Sequence, residues 1–290
     1  MKLFIWLSFV WLLFGWSLVS GGAVAAADKP LIEWYVSGKD PYMITKGEFK
    51  GQGHGDVTYL RLQQKLSEYR HLRQITNRAY AQGGIRYHEN VCGFDLLKNA
   101  ERSQYMVFSK PILYLLPLGV ITLAQNDVTG LVNTEGQFVL SWLREQEQFI
   151  LGIVAERSYG EALDKQLMAF PKGKNVLALA EKSVASDLLN LMKLKRIDAS
   201  LGYVMEAYYL TKESKTMGQR LSYYPIAKQP PLLTAHVGCH QGEFGREVIK
   251  AINEKFDNDD IAIISQVYQR WLPENARKLY LKRLKANGMN

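Results

Sequence analysis

The sequence has very little cysteine: among its 290 residues only Cys92 and Cys239 occur. In an oxidising compartment an isolated pair predicts one disulfide, and two buried free thiols are the alternative. A bridge between positions so far apart would constrain the unfolded chain and would require the two segments to be spatial neighbours. The two cysteines therefore indicate which segments of the chain could be neighbours in the fold, and they do not indicate a reaction.

The sequence also lacks catalytic and metal-site motifs. C-x-x-C-H, H-E-x-x-H and G-x-S-x-G do not occur. The glycine-rich residues 51–55 resemble a phosphate cradle, but no Gly-Lys-Ser/Thr follows, so a simple turn is predicted. On an extended strand Cys239 would face away from His236 and His240, so these three do not converge on a metal. We therefore expect no enzyme activity, no metal and no cofactor.

Only the N-terminus contains a long hydrophobic run. Lys2 precedes an apolar stretch over residues 3–19, and a glycine pair and small residues follow up to Ala27. A charged start, an apolar centre and an A-x-A site form a secretory signal peptide, here residues 1–27, so we expect a periplasmic protein. An uncleaved membrane anchor is the alternative, because the run is only slightly shorter than a membrane span.

Positive charge exceeds negative charge, with a formal net charge of +8. The charges are spread along the chain, apart from the basic run at residues 277–285. This balance weakly favours anionic ligands or an anionic membrane surface. No nucleic-acid-binding motif is present, so we expect a small-molecule ligand and no nucleic acid.

Strand-like and helix-like segments alternate along the chain. The predicted strands are residues 31–37, 71–76, 91–94, 118–124, 149–155, 175–180 and 199–204. Amphipathic helical stripes lie between them and near the C-terminus. This alternation predicts an α/β fold with mostly parallel sheets.

Two extended, proline-containing segments bracket the central block. They are residues 110–126, with Pro111 and Pro117, and residues 221–239, with three further prolines. Proline prevents a continuous helix in both. We therefore predict two lobes joined by two hinge crossings: residues 28–118 and 228–290 form lobe 1, and residues 119–227 form lobe 2. A Cys92–Cys239 bridge would fit this arrangement.

Four passages resemble the family 3, polar amino-acid-type periplasmic solute-binding proteins. They are GEFKGQGHGDVTYLRLQQKL, CGFDLLKNAERSQYMVFSKPILY with an Arg before Phe-Ser-x-Pro, LGIVAERSYGEAL, and LLNLMKLKRIDASLGY with Ile-Asp-Ala. They occur in the family's order across the chain after the signal peptide. The sequence is similar to a branch of that family with cysteines at the positions of Cys92 and Cys239. The resemblance implies the type II periplasmic binding-protein fold.

The resemblance also implies two ligand-binding positions. The family's Arg at the position of Arg102 binds the ligand carboxylate, and a guanidinium does so through two parallel charge-assisted hydrogen bonds. A structural Arg paired with Glu101 is the alternative. Ser158 matches a hydroxyl position at the start of a lobe 2 helix, where a plain N-cap is the alternative.

The sequence departs from the family where an amino group would be bound. Tyr203 stands where an Asp is usual, Val36 replaces another Asp, and Leu97 replaces a Ser. Without these carboxylates the ligand need not be a standard amino acid. Tyr35, Tyr42 and Tyr203 are instead predicted to line the ligand site, with half-buried packing as the alternative for each.

The resulting hypothesis is a monomeric binding protein that closes around a small, carboxylate-bearing molecule. Its partner would be an inner-membrane transporter or, alternatively, a membrane signalling protein to which it acts as an adaptor. A dehydratase-like enzyme on the same fold is the rival. It would need a general acid or base in the cleft, for which His88 and Glu89 are the candidates.

Overall fold

A computed structural model describes residues 29–146, 148–155, 159–170, 174–179, 184–214 and 220–289. The predicted signal peptide, residues 1–27, lies outside this part of the chain. Within it, no helix combines the length and the apolar character needed to cross a membrane.

The described chain contains strands and helices in alternation. The strands are β1 (Leu31–Ser37), β2 (Arg70–Thr76), β3 (Val91–Leu97), β4 (Met106–Leu115), β5 (Gly119–Leu123), β6 (Leu151–Val154), β7 (Val176–Leu179), β8 (Ala199–Gly202), β9 (Leu221–Pro225) and β10 (Leu233–His240). The helices are α1 (His54–Lys65), α2 (Arg78–Tyr87), α3 (Glu161–Met168), α4 (Val184–Lys193), α5 (Val204–Glu213), α6 (Glu243–Lys255), α7 (Asn258–Gln269) and α8 (Glu274–Ala286).

The strands form two five-stranded sheets, and each sheet with its helices is a lobe. The strand orders are β2-β1-β3-β10-β4 and β7-β6-β8-β5-β9. The predicted α/β fold with two lobes is confirmed. The predicted mostly parallel pairing is wrong: β10 runs antiparallel to β3 and β4, and β5 runs antiparallel to β8 and β9. The crossings are the cause: β4 leaves lobe 1 and β10 returns to it, so these neighbours run in opposite directions, as do β5, which enters lobe 2, and β9, which leaves it.

Two short segments cross between the sheets. Residues 116–118 connect β4 to β5, and residues 226–232 connect β9 to β10. The Tyr223 hydroxyl in β9 donates to the carbonyl oxygen of Pro117 at 2.7 Å, which ties β9 to the first crossing. Helix α8 lies against β9 as well, since the Asn275 side chain donates to the Tyr223 carbonyl at 3.0 Å. The predicted boundaries at residues 118 and 228 stay a prediction.

The two cysteines form a disulfide between neighbouring strands. Cys92 of β3 and Cys239 of β10 are register partners in the antiparallel pair, with Cα atoms 4.0 Å apart. Both residues are completely buried, in a core that contains Trp34 and Phe94. The predicted bridge is therefore present. It joins the strand before the exit from lobe 1 to the strand that returns to it.

Candidate functional site

A cavity of about 250 Å³ lies between the two lobes. Lobe 1 supplies most of its wall through β1, α1, α2 and the end of β3. Lobe 2 supplies the start of α5. The lining residues that carry polar or aromatic groups are Tyr35, Ser37, Lys39, Tyr42, His54, Arg78, Gln82, Phe94, Asp95, Arg102, Tyr203, Glu206 and Tyr268. The volume is below the range of pockets for drug-sized molecules, so it suits a small ligand.

Arg102 lines this cavity, although only 7% of the residue is exposed. It begins a single 3-10 turn, Arg102–Gln104, and its backbone N–H donates to Asn99 Oδ1 at 2.8 Å. Its Nη1 donates to the carbonyl oxygen of Leu97 at 2.7 Å, which fixes the guanidinium. Burial, and then repulsion from Arg78, lower the Arg102 pKa from its usual value.

Arg102 has no ion pair with Glu101 or with any other carboxylate in the described part of the chain. Glu101 is exposed, and its charge has the smallest of the four effects on the Arg102 pKa. A buried guanidinium with donors left over is expensive unless an anion meets it. The geometry therefore favours the ligand-binding interpretation of Arg102 over the structural one.

All three predicted tyrosines line the cavity. Tyr35 is 9% exposed and its ring stacks on Tyr80 with centroids 5.7 Å apart. The Tyr42 hydroxyl donates to the carbonyl oxygen of Phe94 at 3.3 Å, and burial raises its pKa well above the usual value. Tyr203 is the N-cap residue of α5 and brings lobe 2 to the site.

The remaining predicted positions divide in two groups. Val36 and Leu97, which stand where the family has polar residues, line the cavity and make that part of the wall apolar. Ser158 lies outside the described residues. The lobe 2 hydroxyl implied by the resemblance therefore stays a prediction.

His54 and Asp95, which were not predicted from the sequence, contribute deeply buried polar groups to the cavity. Their side chains are 2% and 4% exposed, and His54 Nε2 lies 3.8 Å from Asp95 Oδ2. Within the described residues neither Asp95 oxygen nor His54 Nδ1 has a hydrogen-bond partner. Burial lowers the His54 pKa to about 3 and raises the Asp95 pKa to about 7. The pair is therefore held mainly as two neutral groups just below neutral pH.

Local sequence explains why His54 points inward. Residues 51–53 form the predicted turn, and α1 then begins at His54, so the run 51–55 is only partly turn. A side chain at Gly53 would lie 2.3 Å from the Tyr42 carbonyl oxygen, so only glycine permits this close approach. The Asp56 carboxylate accepts the N–H groups of Ile44 at 3.0 Å and Gly53 at 3.1 Å. These contacts fix the loop that carries Tyr42 against the start of α1.

Asp95 lies where β3 is irregular. The pairing of β3 with β10 shifts register between His236 and Gly238, opposite residues 93–96. Asp95 adopts a positive φ of 53°, which is uncommon for a residue other than glycine. Bulges of this kind redirect side chains and are frequent beside functional sites. A charged residue inside the otherwise apolar strand VCGFDLL was the available sequence signal.

The mouth of the cavity carries charged residues that the sequence did not indicate. Lys39 Nζ and Glu206 Oε1 form an ion pair of 2.7 Å between the two lobes. Arg78, the first residue of α2, lines the cavity near Arg102. Next to this mouth Tyr209 of α5 packs against Phe49 and Trp271, with ring centroids 6.2 and 5.4 Å away.

The two residues predicted as candidate acid or base of an enzyme lie outside the cavity. His88 and Glu89 are exposed residues beyond the end of α2 and do not line the cavity, so their proposed role as acid or base in the cleft is wrong. Helix α2 ends before them, which turns both toward solvent. His236 and His240 are hydrogen-bonded to the carbonyl oxygens of Ser109 and Ile85 at 2.8 and 3.0 Å.

Comparison with known proteins gives matches at the level of structure. No protein-family model matches the sequence, and the search of curated proteins returns no match. Among solved structures, the substrate-binding protein of an amino acid ABC transporter superposes with a TM-score of 0.54 and 14% identity, over 83% of this chain and 98% of the other.

Two further matches come from named organisms. The periplasmic VFT2 domain of BvgS from Bordetella pertussis gives a TM-score of 0.56 at 15% identity, over 84% of this chain and 94% of that chain. An arginine transport-system periplasmic binding protein from Legionella pneumophila gives 0.51 at 13% identity, over 84% and 100%. The chain therefore has the type II periplasmic binding-protein fold, and the amino-acid transport proteins it matches are of the kind that its sequence resembles.

Proposed function

We propose that this protein is an exported solute-binding protein that captures a small carboxylate-bearing molecule between its lobes and presents it to a membrane transporter. The observation that carries the proposal is Arg102, a buried guanidinium that lines the interlobe cavity without a carboxylate partner among the described residues. An arginine keeps its charge at any cellular pH, so it remains an anion site under all conditions of uptake.

Ligand binding would act on the equilibrium between open and closed lobes. Arg102 approaches the cavity from lobe 1, whereas Tyr203 and Glu206 approach it from lobe 2. A ligand that contacts both sides binds the closed form more tightly and shifts the population toward it. The closed form is then the species that a partner recognises.

Location and partner follow from the N-terminal segment and the fold. The predicted signal peptide, residues 1–27, would direct the chain to the periplasm as a monomer, and an inner-membrane transporter is the first choice of partner. The second candidate function is that of a ligand-binding adaptor for a membrane signalling protein. The likeness to a periplasmic domain of BvgS favours keeping it, because the fold matches that domain and transport proteins equally well. No enzymatic role is proposed.

A ligand screen with an arginine variant tests the proposal. The chain beginning at Asp28 is screened by thermal shift against amino acids, polyamines, small acids and short peptides, and hits are measured by calorimetry. Arg102→Ala should weaken a carboxylate ligand by at least about 2 kcal/mol, because a charge-assisted pair is lost. Arg102→Lys is the matched control, which keeps the charge but not the two-pronged geometry. Unchanged affinity in Arg102→Ala would remove Arg102 from the site.

A further inference from the structure

A groove of about 690 Å³ lies on the protein surface between helices α7 and α8. It shares no residue with the interlobe cavity. Its apolar lining consists of Ile261, Ala262, Leu281, Leu284 and Met289. Among the described lining residues none carries a carboxylate, and Lys285 is the only charged one. The groove is therefore an apolar surface feature with a cation at its rim.

Helix α8 is held to the protein by one face only. The Tyr280 hydroxyl donates to the carbonyl oxygen of Tyr114 at 2.8 Å, and Arg283 Nη1 donates to the carbonyl oxygen of Pro231 at 2.6 Å. Ala276 and Tyr280 on this face are completely buried. These contacts fix the orientation of the helix, so its opposite face is held toward solvent in one arrangement.

The outward face of α8 has an excess of positive charge. Its exposed cations, which we call the basic face, are Arg277, Lys278, Lys282 and Lys285. Lys278 Nζ pairs with Glu274 Oε1 at 2.7 Å in the preceding turn. Within the described part of the chain the other three cations have no carboxylate partner. The charge of the basic face is thus available to an anion from outside the chain.

Leu281 lies in the middle of the basic face. Arg277 and Lys285 are four positions before and after it, so they are its neighbours along the helix surface. Leu281 is 47% exposed and belongs to the wall of the groove. An apolar surface rimmed by charges is typical of an interaction site. A soluble polyanion would neutralise the cations but would leave Leu281 and the groove in water.

We propose that the basic face of α8 and the adjoining groove form a docking surface for an anionic phospholipid bilayer. A bilayer presents phosphates above an apolar layer, which matches cations placed around an exposed leucine. The cations contact the lipid phosphates, and Leu281 enters the apolar layer. This docking does not depend on the ligand of the cleft. It would keep the protein beside a membrane partner while the interlobe cavity, which shares no residue with this surface, captures its ligand.

Vesicle flotation with matched lysine variants tests the charge requirement. The chain beginning at Asp28 should bind vesicles of phosphatidylglycerol at low salt, lose them at high salt, and not bind vesicles of phosphatidylcholine. The double variant Lys282→Gln/Lys285→Gln should weaken binding by about ten- to thirty-fold, because each cation near the surface contributes. The control Lys50→Gln/Lys250→Gln removes the same charge at exposed positions elsewhere and should weaken binding by less than about three-fold.

A matched leucine pair tests the apolar contact. Leu281→Ser should weaken binding to phosphatidylglycerol vesicles by about five-fold, because the side chain no longer enters the apolar layer. Leu60→Ser, at a residue of α1 that is 53% exposed, should leave binding unchanged. All substituted positions are exposed, so the unfolding temperatures of the variants should match that of the wild type.

Three results would overturn the docking surface. The first is a wild-type chain that does not bind phosphatidylglycerol vesicles, or that binds both lipids equally. The second is an equal loss in the two lysine double variants, which would mean that only the net charge of the protein matters. The third is a loss in Lys282→Gln/Lys285→Gln with none in Leu281→Ser, which would make α8 a site for a soluble polyanion. Each result leaves the proposed role of Arg102 in the cleft unaffected.

Discussion

Lys39 and Glu206 join the two lobes across the mouth of the cleft. Lys39 follows β1 in lobe 1, Glu206 lies in the first turn of α5 in lobe 2, and Nζ and Oε1 are 2.7 Å apart. The Lys39 side chain is 55% exposed, so solvent and salt screen the pair. The ion pair nevertheless links two bodies that must separate for a ligand to enter.

Removing this link should open the protein slightly. Glu206→Gln deletes a pair worth about 0.5–1 kcal/mol at most, so the ratio of closed to open molecules should fall by about two- to five-fold. Small-angle scattering of the ligand-free protein should show a larger radius of gyration at low salt. Glu274→Gln is the control, since it breaks the exposed Lys278–Glu274 pair, which lies within α8. An equal change in both variants would contradict the role of the interlobe pair.

The disulfide should contribute strongly to stability. Cys92 and Cys239 are separated by 147 positions, and a bridge that closes so long a loop removes much entropy from the unfolded chain. Replacing both cysteines with serine should lower the free energy of unfolding by about 3–5 kcal/mol, measured by denaturant titration. Wild-type protein treated with reductant should approach the same value. Equal stability of oxidised protein and double variant would refute this expectation.

Sequence periodicity predicted most of the architecture because it reports burial directly. The alternation in residues 31–37 predicts β1 at the bounds it has in the structure, and the two extended segments predict the crossings. The pairing direction was missed, because β10 inserts between β3 and β4 through contacts distant in sequence. Local pattern does not specify which neighbour a strand will pair with.

The site was only half predictable for a related reason. Arg102 was selected because its surrounding passage resembles a family motif. Tyr35, Tyr42 and Tyr203 were selected as aromatic and hydroxyl groups that could take the place of the family's missing carboxylates. His54 and Asp95 belong to no motif. Their importance comes from burial without partners, a property that exists only when α1 and β3 are packed together. In the sequence this burial was indicated only weakly, by a histidine between two glycines (His54) and by an aspartate in an apolar strand (Asp95).

Two adjacent glycines of α2 provide a matched test of the position of Tyr35. A Cβ at Gly84 would lie 2.4 Å from Tyr35 Cδ2, whereas a Cβ at Gly83 would meet nothing within 4 Å. Gly84→Ala should displace the Tyr35 ring from the cavity wall, lower stability by about 1–3 kcal/mol and weaken ligand binding. Gly83→Ala should instead raise stability by about 0.5–1 kcal/mol through helix propensity. Denaturant titration and calorimetry of both variants check this, and matching effects of the two substitutions would contradict it.

The buried pair should give two opposite pH dependences. Burial raises the Asp95 pKa from 3.8 to about 7, so the folded state keeps a proton that the unfolded state releases. The cost to stability therefore grows as the pH rises from 3.8 toward 7 and is constant above it. Asp95→Asn removes this cost, so its free energy of unfolding should exceed that of the wild type by roughly 2–4 kcal/mol above neutral pH, and by much less near pH 4.

The His54 pKa shift makes stability depend on pH in the opposite direction. Burial lowers its pKa from 6.5 to about 3, so the unfolded state takes up a proton below pH 6.5 that the folded state refuses, and stability falls as the pH drops. His54→Gln should therefore gain on the wild type toward acid. Tyr42 and Tyr268, which flank His54, have pKa values raised by burial and stay protonated throughout. Denaturant titrations at a series of pH values check both slopes. Parallel curves for the wild type and the two variants would contradict both predictions and would mean that the pair is hydrated.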